Sequence, residues 1–236
     1  MKKPRKLKKK LNSPQPAEVL AISTARNNAE LVAQCAQLGY ITGHVLDPTY
    51  GYGKFWTVWQ PETFTASDLN PDKSPYGNGT PVDFTEMPWD EEVFDTVVLD
   101  PPYKLNGTST GEGPSAADER YGVDTYMPID DRHQLIYDGI DECLQVLKTG
   151  GYLLVKCQDQ VASGRVHWQT VMFTAHAEFA GCRLVDMLHL VGGRKQPAGR
   201  RQVHARRNYS TMLVLKKEAH VKCVRKGRET IGGVHQ

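Results

Sequence analysis

Between residues 17 and 40 the apolar positions return at helical spacing, with Leu31, Val32, Cys35 and Leu38 on one face. Ser23 or Thr24 can cap the start, and Gly39 stands where a C-terminal cap belongs. Beyond Gly39 the period changes. His44–Asp47 and residues 64–67 have strand length, 82–84 is a weaker third, and Phe94–Leu99 carries Val97, Val98 and Leu99 in a row. An apolar run without alternation suits a strand covered on both faces. Residues 131–148 give the clearest helix. Leu135, Ile136, Ile140, Cys143, Leu144 and Leu147 form its stripe, Asp130 can cap it, and Gly150-Gly151 predicts its end. A strand at 152–156, a helix over 168–180, and strands at 183–190 and 210–215 complete the pattern. Such alternation predicts an α/β fold, a doubly wound and mostly parallel sheet with helices on both faces.

Two connections interrupt the rhythm. Residues 104–127 are rich in Gly, Ser, Thr and Asp and directly follow a buried strand; residues 192–209 are basic and lie between the last two strands. Connections this long in a compact domain usually serve function or remain unstructured. The expected division is a disordered basic arm at 1–16, one domain over 17–216 containing both loops, and a basic tail at 217–236.

Charge follows that division. The net charge is only +2, yet residues 1–10 hold seven basic groups and no acid. Residues 192–236 hold twelve Lys and Arg against Glu218 and Glu229, leaving the 11–191 segment with ten basic and 25 acidic groups. Basic ends on an acidic body predict a surface for a polyanion. The five cysteines include no C-x-x-C pair and are odd in number, which argues against a zinc site or a disulfide framework. No apolar run has membrane-spanning length and no apolar segment follows the basic N-terminus. Reduced thiols and a cytoplasmic setting are expected.

The strongest chemical signal is Asp100-Pro101-Pro102-Tyr103 at the end of the most buried strand. A chance D-P-P-Y in a chain this long has odds on the order of one in a thousand. Prolines fix φ and lack an N–H, so the turn is stiff and its carbonyls are available. The Asp100 carboxylate and a carbonyl of Asp100 or Pro101 form a pair of acceptors suited to an –NH2 group. Tyr103 adds a flat face for stacking. The amine of adenine or cytosine is a poor nucleophile because its lone pair is delocalised. Accepting both of its hydrogens concentrates density on nitrogen and favours attack on an activated methyl group.

A second signal is Val45-Leu46-Asp47-Pro48-Thr49-Tyr50-Gly51-Tyr52-Gly53, a strand followed by a glycine turn. Glycines let a ligand approach the backbone closely. A dinucleotide fingerprint needs a third glycine where Trp56 stands, and a phosphate-binding P-loop needs Ser or Thr where Phe55 follows Lys54. Neither pattern fits. Asp68 and Asp83, each beside a predicted strand end, are candidate acceptors for ribose hydroxyls and an adenine amine.

DPPY together with D-P-x-x-G-x-G resembles the amino-group DNA methyltransferases that act on adenine N6 or cytosine N4. The layout over residues 43–216 is similar to the Rossmann-like class I methyltransferase fold, whose seven-stranded sheet ends in an antiparallel strand. The resemblance implies S-adenosyl-L-methionine as cofactor, held by Asp47, Pro48, Gly51 and Gly53, with Asp68 at the ribose and Asp83 at the adenine. It assigns the catalytic turn to Asp100, Pro101, Pro102 and Tyr103, and Asp in first place favours adenine over cytosine. The expected activity is DNA adenine-N6 methylation by base flipping. Methylation of an RNA base at adenine N6 or guanine N2, methylation of cytosine N4 in DNA, and a nucleic-acid-binding module with an inert core are the alternatives. Tyr50, Tyr52 and Lys54 stand where family members carry smaller residues, and no separate target-recognition domain is present. Substrate contact therefore falls to the loops: residues 104–127 as a lid, and Arg194, Lys195, Arg200, Arg201, Arg206 and Arg207 on phosphates. Lys156, Gln158 and Asp159, ending the strand after the long helix, are expected beside the pocket.

Overall fold

The computed structural model describes residues 24–105, 127–192, 203–205 and 207–218. In chain order the elements are β1 (Thr24–Ala25), α1 (Asn28–Gln37), β2 (His44–Asp47), β3 (Thr63–Ala66), β4 (Phe94–Leu99), α2 (Ile129–Val146) and β5 (Leu147–Cys157). A hairpin, β6 (Gln160–Ala162) and β7 (Arg165–His167), leads into α3 (Gln169–Phe179), β8 (Cys182–Val191) and β9 (Tyr209–Lys217). One seven-stranded sheet runs in the order β1-β8-β9-β5-β4-β2-β3. Only β9 runs antiparallel to its neighbours, β5 and β8. β6 and β7 pair apart from this sheet.

The strands show why an unbroken apolar run was required. Val97, Leu99, Leu153, Val155, Leu213 and Leu215 face a core built with α2 and α3. Their neighbours Val98, Leu154, Met212 and Val214 face the opposite core, with Leu31, Val32 and Cys35 of α1 and the aromatic pair Phe55 and Trp56. Alternate residues thus serve opposite layers. Full burial of each such Val or Leu is worth roughly 1.5–3 kcal/mol, so the three central strands carry much of the apolar stabilisation. Cys35, Cys143, Cys157 and Cys182 are free thiols inside these cores. No helix of the described residues is long and apolar enough to cross a membrane.

Several boundaries depart from expectation, each for a physical reason. α1 begins at Asn28 because Asn27 is the better cap: its side chain accepts the Glu30 N–H at 2.8 Å, and the Glu30 carboxylate reaches back to the Arg26 N–H. Thr24 and Ala25 instead pair with His189 and Leu190 as an edge strand. Residues 82–84 form no strand. Pro81 just before it has no N–H, the Val82 N–H donates to the Asp68 carbonyl at 3.0 Å, and Asp83 turns the chain by accepting from Thr85 N and Oγ. The count of seven therefore holds with a different membership, β1 at one edge replacing the expected strand at the other. α2 runs into β5 at Leu147 without a glycine stop; its end is held by Lys217, whose Nζ donates to the carbonyls of Leu144 and Leu147. Gly151 lies within β5, where a Cβ would meet the Asp95 carbonyl at 2.7 Å. The sequence pattern gave no sign of the β6–β7 hairpin.

Candidate active site

In the sheet order, β2 and β4 are neighbours, but the chain runs outward from β2 to β3 and outward from β4 to β5. The strand order reverses between β2 and β4, and a crevice opens there at the carboxyl ends of the strands. Both sequence motifs fall on this edge: Asp47 ends β2, and Asp100 follows β4 directly.

The glycine turn is held from below. Asp47 is 3% exposed, and both of its oxygens are engaged. Oδ1 accepts the Thr49 N–H at 3.0 Å, and Oδ2 accepts Trp56 Nε1 at 2.7 Å. Burial pushes this carboxyl up to about 7, against the downward pull of the Trp56 and Thr49 hydrogen bonds. Asp47 therefore faces inward and shapes the turn, with Pro48 buried beside it. Trp56, the residue incompatible with a dinucleotide fingerprint, packs its ring on Phe64 at 4.7 Å. Gly51 and Gly53 have φ of +56° and +63°, in the left-handed region glycine tolerates. At Gly53 a Cβ would strike the Tyr50 ring, whereas at Gly51 nothing lies closer than 4.0 Å, so ligand approach at Gly51 is open.

Asp68 is bound to that turn. Its Oδ2 accepts the Gly51 N–H at 2.8 Å and its Oδ1 accepts the Asn70 N–H at 2.8 Å. Each carboxylate oxygen retains acceptor capacity, which suits a vicinal pair of hydroxyls. Asp83 lies in the wall of a shallow depression of about 540 Å³, with Tyr76, Thr80, Pro81, Val82 and Glu86. Thr85 occupies its Oδ1. The open backbone at Gly51 and the remaining acceptor capacity of Asp68 fit an adenosyl group.

The double-proline turn lies beside it. The Asp100 N–H donates to Thr49 Oγ at 2.9 Å, joining the two turns. The Asp100 side chain is 22% exposed, and Lys156 Nζ stands 3.6 Å from its Oδ1. Burial raises the Asp100 carboxyl, and the Lys156 ammonium opposes the rise. Lys156 itself is 3% exposed and faces two rings, Phe55 at 5.3 Å and Tyr103 at 5.7 Å. This one cation thus stands between the double-proline turn and Phe55, two residues past the glycine turn. Pro101 O accepts the Tyr103 N–H at 2.7 Å, so that carbonyl is already engaged within the turn.

Two residues that sequence reasoning missed fix Tyr103. Its carbonyl accepts from Gln160 Nε2 at 2.8 Å and from Gln169 Nε2 at 2.9 Å. Gln160 Oε1 accepts the Leu105 N–H and Gln169 Oε1 accepts the Gln158 N–H. Isolated glutamines carry no motif, so only their position identifies them. Gln158 also donates to Tyr209 O, and Asp159 caps α3 through Thr170 N and Oγ. Arg207 stacks over Trp168 at 4.2 Å. Arg194, Lys195, Arg200, Arg201 and Arg206 lie outside the described residues, as do the arm at 1–16 and nearly all of the 104–127 connection and the tail.

No protein-family model matches the sequence, and a search of curated proteins found none similar. Solved structures do match. A Bacillus halodurans C-125 protein assigned as a methyltransferase superposes with a TM-score of 0.52 at 15% identity, covering 80% of this chain and 99% of that one. The N-methyltransferase NodS of Bradyrhizobium japonicum WM9 gives 0.50 at 12% identity, covering 81% and 94%. At such identity the likeness shows the fold, and the fold is the Rossmann-like methyltransferase fold.

Proposed function

We propose that the chain transfers a methyl group from S-adenosylmethionine to the exocyclic amine of a nucleic-acid base, adenine N6 in DNA. The observation that carries this reading is the double-proline turn Asp100-Pro101-Pro102-Tyr103, hydrogen-bonded through Thr49 to the glycine turn after β2. Bound S-adenosylmethionine supplies an electrophilic sulfonium methyl. Asp68 and Asp83 would hold its ribose and adenine, and the open backbone at Gly51 would face the remainder.

The chain's residues then have defined tasks. The Asp100 carboxylate accepts a hydrogen from the target –NH2, and a carbonyl of the same turn accepts the other. This draws the nitrogen lone pair out of conjugation and aims it along one axis. Burial favours the neutral acid at Asp100, and Lys156 opposes it by favouring the charged form. An uncharged carboxyl would be a weaker acceptor. Tyr103 offers its ring to the flipped base, and the two glutamines on its carbonyl keep that ring in register. Pre-positioned acceptors of this kind act without reorganisation during the reaction. Asp in the first position of the turn supports adenine, and the basic ends of the chain support a polyanionic substrate.

The test is methyl transfer from labelled S-adenosylmethionine to duplex DNA, single-stranded DNA and RNA of one sequence, followed by nucleoside digestion. N6-methyladenine in DNA is the expected product. Label confined to RNA, or to guanine N2, would move the substrate while leaving the chemistry. Donor binding with no label in any nucleic acid would overturn the substrate class.

A further inference from the structure

We propose that the β6–β7 hairpin, with Trp168 at its foot and Arg165, His204 and Arg207 around it, is a platform that grips the nucleic-acid strand beside the target base. The inference rests on the nucleic-acid reading above and extends it to a surface that the two motifs do not include.

The hairpin leaves the carboxyl end of β5, the strand that ends with Lys156 and Cys157, so it rises from the same edge as the DPPY turn. Both of its feet are bound to one atom. Gln160 opens β6 and Gln169 follows Trp168, and both donate to the Tyr103 carbonyl. A hairpin held this way keeps a constant offset from the ring proposed to stack on the target base. Its reversal at Ser163 and Gly164 uses positive φ of 48° and 77°, which closes it in two residues.

What the hairpin presents is unusual for a protein surface. Trp168 is 46% exposed, and Arg207 lies over its ring at 4.2 Å. Val161 of β6 is also exposed. His204 Nε2 donates to the Gly164 carbonyl at 3.0 Å, which ties the second basic connection to the hairpin tip. Arg165 is exposed on β7. No acidic residue occurs in 160–169 or in 192–217, although the 11–191 body carries 25. The segments that build this surface therefore carry basic groups only. Phosphates meet two guanidinium groups, and a base finds an exposed indole. That combination fits a single nucleic-acid strand lying along the lip of the pocket.

The experiment uses the full chain and labelled adenine-containing oligonucleotides as duplex DNA, single-stranded DNA and RNA, with fluorescence anisotropy as readout. Trp168→Ala should weaken binding to the preferred form by about tenfold or more, and Trp168→Phe should stay within about threefold, because stacking survives in the smaller ring. The double variant Arg165→Ala/Arg207→Ala should lower the slope of log Kd against log salt by roughly 1.5. Calorimetric S-adenosylmethionine affinity and the thermal midpoint should match the wild type throughout. Unchanged oligonucleotide affinity and salt slope in these variants would overturn the platform and leave the proposed activity standing. A wild-type chain that binds none of the three oligonucleotides would overturn both. Donor affinity lost together with oligonucleotide affinity in Trp168→Ala, with an unchanged salt slope in the arginine variant, would show the residue acting through the fold and also overturn it.

Discussion

Thr49 Oγ accepts the backbone N–H of Asp100 at 2.9 Å, so one hydroxyl fastens the glycine turn after β2 to the double-proline turn after β4. The same hydroxyl lies 3.4 Å from Asp47 Oδ1, to which it donates. The proposed methyl transfer would need donor and acceptor sites held at a fixed separation, which this side chain would help to set.

Thr49→Val keeps the shape and removes both hydrogen bonds. Urea unfolding should show a loss of about 1–3 kcal/mol, since the Asp100 N–H is left without its partner. Thr49→Ser should recover most of it. A valine variant with wild-type stability and turnover would show that the tie is dispensable.

Asp100→Ala should lower kcat for methyl transfer by about 10²–10³, the usual effect of deleting one pre-positioned hydrogen-bonding group. Asp100→Asn, which retains one acceptor oxygen, should lose less. Equilibrium binding of S-adenosylmethionine should persist in both. Turnover in the alanine variant close to that of the wild type would remove Asp100 from the amine.

Lys156→Met removes the charge that opposes the burial-driven rise of the Asp100 carboxyl. The ionised form is the useful acceptor, so the acidic limb of the pH–rate profile should move to higher pH. Activity should drop most on the acidic side of the profile and clearly less at alkaline pH. An unshifted acidic limb would separate Lys156 from the ionisation of Asp100.

Asp47 gives a stability signature. Its folded value of about 7 lies above the unfolded value of about 3.9. Below the unfolded value the group is neutral in both states and costs nothing. As pH rises, the unfolded chain ionises first, so stability falls between about pH 4 and pH 7, by on the order of a few kcal/mol. The difference in unfolding free energy between wild type and Asp47→Asn should therefore decline across that window and level off above it. Trp56→Phe removes the largest opposing hydrogen bond and should extend the decline upward. A difference that stays flat with pH would mean that Asp47 is not titrating there.

Much of the fold was legible because its causes are local. Val97, Val98 and Leu99 announce a strand covered on both faces, and the stripe of α2 announces a helix on a core. The glycine turn and DPPY were legible as chemistry because rare residue types stand together. The misread edges failed where local signals compete. At residues 82–84 an apolar pair lost to Pro81 and the turn at Asp83, and at the first helix Asn27 outcompeted Ser23 and Thr24 as a cap. Gln160 and Gln169 were invisible because a glutamine acquires meaning only from what it touches.

The sequence by itself determined the central strands β2, β4, β5, β8 and β9, the helix stripes packed on them, and the stiffness of the double-proline turn. These follow from steric rules and periodicities acting over a few residues. Tertiary structure alone decided that Thr49 meets Asp100 and that Lys156 stands between Phe55 and Tyr103. It also decided that two glutamines share one carbonyl. Those contacts join side chains from different elements, and their distances depend on strand order and register, which no short stretch of sequence encodes.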